Sequence, residues 1–278
     1  MPTLESVVAG RPTKEFHEYL IPAPGNTHVN HSEYIQEPAT AFLRYVVEAK
    51  SSIDMCLRKL KSNGNYAPDA NDSIRHIIIA MLPAIMGHYE TYQRYLFAGV
   101  FEYSIYLNNF KPDSFFKKIG ECASLEVDLV RLSSYRSSAG FSAGFIVADS
   151  LPGWHSPEKV NKYFAAFGLN RQFYGGAEIR RLKTLWQLRH SIVHTGGTIT
   201  VPDAQKVPEL AASSGKTIAF ENNFIYEVAR KLHPLIKTST EGMGGAFKAQ
   251  LKQGIEPSIV SKIDELFRVR SSVNVWLR

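Results

Sequence analysis

The sequence predicts a mainly helical protein, a helical bundle with a short hairpin-like insertion late in the chain. Three observations carry this. Apolar residues recur every three or four positions through most of the sequence. Proline, glycine and asparagine punctuate between those runs. Extended character is confined to two short pieces, Thr198 to Val201 and Lys216 to Phe220. The length of 278 residues suits one large domain or two small ones, and a hydrophobic share of 44% suffices for a core.

Residues 1–36 are rich in Pro, Gly, Asn and His without a sustained period, and read as an irregular extension. From Ala41, the spacing of Phe42, Val46, Ala49, Ile53, Leu57 and Leu60 predicts a helix. Asn63-Gly64-Asn65 reads as its left-handed cap. Tyr66 to Ser73 reads as a polar loop, so that residues 37–70 form an N-terminal helix and loop. Ile85, Tyr89, Tyr92, Leu96, Val100, Tyr103 and Leu107 form the longest apolar stripe, its tyrosines read as core packing. The apolar stretch Ile77 to Ile85 is interrupted by Pro83 and is too short for a bilayer span.

Pro112-Asp113 precedes a further stripe through Phe116, Ile119, Ala123, Val127 and Val130. Residues 139–156 are Gly- and Ser-rich with apolar insertions and suggest no element. Ser156-Pro157 pairs a capping hydroxyl with proline at the first helical position, and starts a helix ending near Phe167. After Gly175-Gly176, Ala177 to His194 reads as a helix with Ile179, Leu182, Trp186 and Val193 on one face, stopped by Thr195-Gly196-Gly197. Beyond the two extended pieces, Ile225, Val228 and Leu232 predict a helix that completes a helical domain over 71–238. Gly242 to Gly245 reads as a flexible linker, since the Gly-Lys-Ser/Thr ending of a phosphate-binding loop is missing. A final amphipathic helix with Ile259, Ile263 and Leu266 completes residues 239–278.

The formal net charge of +6 favours polyanionic partners. Cys56 and Cys122 sit among apolar neighbours and read as buried, reduced thiols. Met1 to Gly10 has no basic stretch followed by an apolar core, so a cytoplasmic location without a signal peptide is expected.

The chemistry concentrates in Arg189-His190-Ser191-Ile192-Val193-His194. Arg189 falls within an apolar stripe, and a guanidinium cannot shed its charge, so it requires a carboxylate, a phosphate or a cleft. Glu90 is a candidate partner. His194 follows five positions later, about 140° around a straight helix, so the helix must distort, the arginine must swing, or a second copy must join. His190 and His194 have the spacing of zinc ligands, but no Glu follows His190 and no third ligand is evident, so no metal and no cofactor is expected. His28 and His31 read as solvated loop residues. Arg180, Arg181 and Lys183 read either as a solvated face or as phosphate contacts along RNA.

An arginine, a polar residue and a histidine closing a helix in an all-helical setting resembles the R-x(4–6)-H motif of the HEPN superfamily, over roughly residues 75–238. The resemblance implies a HEPN-like bundle and a metal-independent endoribonuclease active as a homodimer. In it the RNA 2′-hydroxyl attacks the neighbouring phosphorus to leave a 2′,3′-cyclic phosphate and a 5′-hydroxyl. His194 is then general base or acid, Arg189 holds the scissile phosphate, and His190 supports them. The resemblance also implies a place among toxins or phage-defence effectors, with a cognate antitoxin or regulatory protein as partner. HEPN folds serve as non-catalytic RNA-binding or dimerisation modules too, which is the alternative expectation.

Overall fold

A computed structural model describes residues 15–20, 29–126 and 143–270. The described chain is mainly helical, as predicted. Two helices, α1 (His31–Gln36) and α2 (Pro38–Lys59), lead into a small antiparallel ladder of β1 (Lys61–Ser62) and β2 (Asn65–Tyr66). The turn between the strands is Asn63 and Gly64, with φ 49° and 84°. Left-handed backbone at both central positions is what a tight hairpin of right-handed twist requires, so Asn-Gly closes a hairpin here and does not cap the preceding helix. The region predicted as a polar loop is largely helical: Pro68 occupies the first position of α3 (Pro68–Tyr103).

Helix α3 is the axis of the molecule. It runs 36 residues and continues through Pro83, which interrupts the apolar stretch Ile77 to Ile85 without ending the helix. It packs against α1, α2, α5 (Ala143–Ser150), α7 (Gly176–His194) and α9 (Phe224–Lys248). Tyr89, Tyr92 and Leu96 are fully buried, so its aromatic stripe is core. Helix α4 (Pro112–Gly120) is shorter than its predicted stripe and turns Phe115, not Phe116, inward; Phe116 is exposed, and Val127 and Val130 lie outside the described residues. The Gly/Ser-rich stretch contains the buried helix α5, and α6 (Pro157–Ala165) starts at Ser156 as predicted, with the Ser156 hydroxyl accepting from Lys159 N–H. The predicted linker at Gly242–Gly245 is instead the interior of α9, with Met243 fully buried, so no boundary falls at residue 238. Glycine serves there for close approach: a Cβ at Gly244 would lie 2.7 Å from Phe267. Helix α10 (Pro257–Leu266), the last helix among the described residues, packs against α3.

The thiols of Cys56 and Cys122 are free but only partly covered, a correction to full burial. His31 is exposed, as expected, but is a helical residue hydrogen-bonded to the Tyr95 hydroxyl at 2.5 Å and not a loop residue; His28 and Met1 to Gly10 lie outside the described residues. Among the described residues no helix is long and apolar enough to cross a membrane.

Helices α3 and α5 touch backbone to backbone at Gly144, whose N–H donates to Glu102 Oε1 at 2.6 Å. A Cβ at Gly144 would sit 2.9 Å from the Ala98 carbonyl carbon, with no flexible side chain to give way. Gly144→Ala is therefore expected to cost about 1–3 kcal/mol, measured by urea denaturation.

Candidate active site

Helix α7 is fixed before it begins. Tyr174 is fully buried; its hydroxyl accepts hydrogen bonds from Tyr89 at 2.7 Å and Gln93 at 3.0 Å, both on α3. Asn161 holds the Tyr174 backbone at both its N–H (2.7 Å) and its carbonyl (2.9 Å). Burial, and to a smaller degree the neighbouring phenols, push the Tyr89 hydroxyl well above its ordinary pKa, so the network carries no charge. Leu182 and Trp186 then seat α7 on the core, with Trp186 against Tyr89 at 6.3 Å between ring centroids.

The far end of α7 is closed by its own carbonyls. Thr195 N–H, Gly197 N–H and the Thr195 hydroxyl all reach the Ser191 carbonyl, at 3.2, 2.9 and 2.9 Å. Gly196 and Gly197 take φ 61° and 79°, so the predicted stop depends on backbone that only glycine adopts freely. The predicted hairpin-like insertion is a single antiparallel bridge, Thr198 with Thr217, and the loop it closes is mostly helical, containing α8 (Val201–Lys206) and the 3-10 turn Pro208–Ser213.

On this last turn Arg189 Nη1 lies 3.4 Å from His194 Nε2. The helix remains continuous from Gly176 to His194, so the arginine swings across about 140° of exposed surface to meet the imidazole. The His190 and His194 rings are 4.8 Å apart. His190 and His194 are exposed and Arg189 is half-buried, all facing solvent while Gln187 and Ser191 face inward. Val193, predicted on the buried face, is 46% exposed and lies in the same arc. Glu90 does not serve Arg189: it pairs with Arg94 at 2.5 Å. Among the described residues no carboxylate pairs with Arg189.

The three basic residues upstream do not form one groove. Lys183 is ion-paired with Glu158 of α6. Burial pushes the Glu158 carboxyl up, but the hydrogen bond and charge of Lys183 outweigh it, and its pKa falls below the usual range. Arg181 turns to the other side, onto the groove between α7 and α9, and Arg180 is exposed. Among the described residues no group of three or more His, Cys, Asp or Glu is placed to hold a metal.

Two residues that pack near α7 were not singled out from sequence, and of these Asp203 lies near His190. His155 sets its ring against Trp186 at 6.2 Å, a neighbour that no sequence spacing indicates. Asp203, only 3% exposed, accepts from the Thr200 hydroxyl (2.8 Å) and Lys206 (3.2 Å). The pattern Thr200-x-x-Asp203 is a helix-start signature that could have located it. Burial raises its pKa, but hydrogen bonds from Thr200 and Lys206 and the positive charges of Lys206 and His190 more than offset this. Because the folded pKa lies below the unfolded one, Asp203 stabilises the fold above the ordinary carboxylate range and ceases to as pH falls through it. Asp203→Asn is expected to lower the melting temperature at pH 7, with the gap from wild type closing as melts are repeated in acid below the ordinary carboxylate range.

The chain matches no protein-family model, no curated protein and no solved structure.

Proposed function

We propose that this protein is a metal-independent endoribonuclease of the HEPN kind that cuts RNA by 2′-hydroxyl attack, acting as a dimer. The observation that carries the proposal is the contact of Arg189 and His194 on an exposed helix end, with no carboxylate on the guanidinium among the described residues. An arginine with no carboxylate beside it, facing solvent next to an imidazole, is disposed toward an external anion.

In the proposed reaction Arg189 donates two hydrogen bonds to the scissile phosphate and stabilises the charge gathered on it. His194 accepts the proton of the 2′-hydroxyl as that oxygen bonds to phosphorus. The bond to the 5′-oxygen breaks, and that oxygen takes a proton from the imidazolium of the second copy. The products are a 2′,3′-cyclic phosphate and a 5′-hydroxyl. His190, one turn from His194 and within the field of Asp203, supports the pair. Val193 gives a two-fold pairing of α7 an apolar centre.

The test is incubation of purified protein with RNA in excess EDTA. Cleavage that persists in chelator and disappears with His194→Ala supports the reading, and intact RNA throughout contradicts it. A toxin or defence role adds that expression of wild type slows growth while His194→Ala does not. The openness of the site favours one other reading, a non-catalytic RNA-binding or dimerisation module. Under it both His194→Ala and Arg189→Ala weaken association yet leave the biological effect intact.

A further inference from the structure

We infer that the cleft lined by Tyr66, Phe220 and Asn223 takes an unpaired base of the RNA strand whose phosphate lies at Arg189 and His194, an inference that rests on the ribonuclease reading for its partner. The cleft is formed by strand β2, the first turns of α3 and the segment leading into α9, and holds about 790 Å³. That is within the range of small-molecule sites and admits one nucleotide.

Its place beside the motif is fixed by the backbone. The carbonyl of Gly197, which closes the end of α7, accepts the Ile218 N–H at 2.7 Å. Ala219, the next residue, already lines the cleft. From His194 the path is three residues of chain, one hydrogen-bonded crossing and one residue more, at most about 20 Å between Cα atoms. A few nucleotides of single strand bridge that span. None of the residues lining the cleft belongs to α7, so the two places can be altered separately.

The lining suits a flat ring with a polar edge. Tyr66 and Phe220 are half-buried, and both present their rings to the cleft. The Phe224 ring lies parallel to Phe220, with centroids 3.7 Å apart and planes within 1°. It covers one face of Phe220 and holds the ring in place, so a base laid on the other face extends an existing stack. The amides of Asn71 and Asn223 supply donors and acceptors for a base edge. Asn223 stands at the N-cap of α9, yet its side chain caps no helix amide and is left for a ligand. Glu221 also lines the cleft, and its charge turns phosphate away. The neutral base is therefore the part that enters, and the strand's backbone is left to the rim at Arg75. Arg75 has only Asp72, 3.8 Å away in an exposed and weak pair. A duplex keeps its bases stacked within and has no free face to offer.

Fluorescence anisotropy of the full chain with a short 2′-O-methyl RNA, which the proposed reaction cannot cut, tests this. The single strand is expected to bind saturably, and the same strand annealed to its complement at least about fivefold more weakly, since its bases cannot stack on the protein. Phe220→Leu keeps the apolar bulk but removes the stacking face, and is expected to weaken the single strand about fivefold or more. Phe220→Tyr restores the face and is expected to bind within about twofold of wild type. Tyr66→Leu is expected to weaken binding severalfold, and decides the matter if Phe220→Leu does not melt as a folded protein. Because the probe cannot be cut, binding is read apart from cleavage. Binding that depends on Phe220, beside RNA left intact in the cleavage assay, upholds the base site and removes the ribonuclease reading. Where RNA is cut, Phe220→Leu is expected to raise KM with kcat nearly unchanged. Absence of saturable single-strand binding, equal affinity for the duplex, or affinity unchanged in the folded leucine variants would overturn the inference.

Discussion

His194→Ala is expected to reduce RNA cleavage by roughly 10²–10⁴-fold, the usual worth of a general acid or base. Arg189→Ala is expected to cost about 10²–10³-fold, as removal of a donor to developing charge does. Arg189→Lys should not restore the rate, because an ammonium cannot present the planar fork that two phosphate oxygens accept. Stability should hardly move: His194 is exposed and Arg189 forms no ion pair among the described residues, so each change should stay within about 0.5 kcal/mol. Steady-state cleavage and thermal melts on the same preparations separate these effects. A loss of cleavage matched by a large loss of melting temperature would point to a structural role.

The largest stability effect is expected at Phe97. Its ring is fully buried on α3, at the meeting point of Phe115, Trp154, Tyr163, Phe164 and Phe167. The ring centroids stand 5.2–6.4 Å away, at angles suited to edge-to-face contact for Trp154, Tyr163 and Phe164. Removing it leaves a cavity walled by rigid rings from α4, α6 and the segments flanking α6, which cannot collapse to fill it. Phe97→Ala is therefore expected to cost about 3–5 kcal/mol, a large part of a typical domain's 5–15 kcal/mol. The urea midpoint should fall with little change in slope. Phe97→Leu, which retains most of the volume, should cost far less.

What sequence could and could not reveal follows from the physics of each element. The stripe on α3 is legible because Tyr89, Tyr92 and Leu96 all face one core, and burial enforces the helical period. The end of α7 is legible because Gly196 and Gly197 occupy backbone that few other residues tolerate. Local signals misled where tertiary packing overrode them. Gly242 and Gly244 look like a linker, yet they are small because Arg171 and Phe267 lie against α9. Val193 keeps an apolar period but falls on the solvent side of the last turn, beside the residues of the candidate site. The site itself was half legible. Arg189, His190 and His194 share one helix end and could be found by spacing, whereas Asp203 arrives from another element through the fold.

The most direct test of the central claim is the chemistry at the cut ends of RNA treated with the protein in EDTA. If the guanidinium of Arg189 and the imidazole of His194 act on a phosphodiester as proposed, every new upstream fragment ends in a 2′,3′-cyclic phosphate. Every downstream fragment then begins with a 5′-hydroxyl, and a substrate carrying 2′-deoxyribose at the cut position resists cleavage. Ends bearing a 5′-phosphate, or equal cutting of the deoxy-substituted strand, would contradict it.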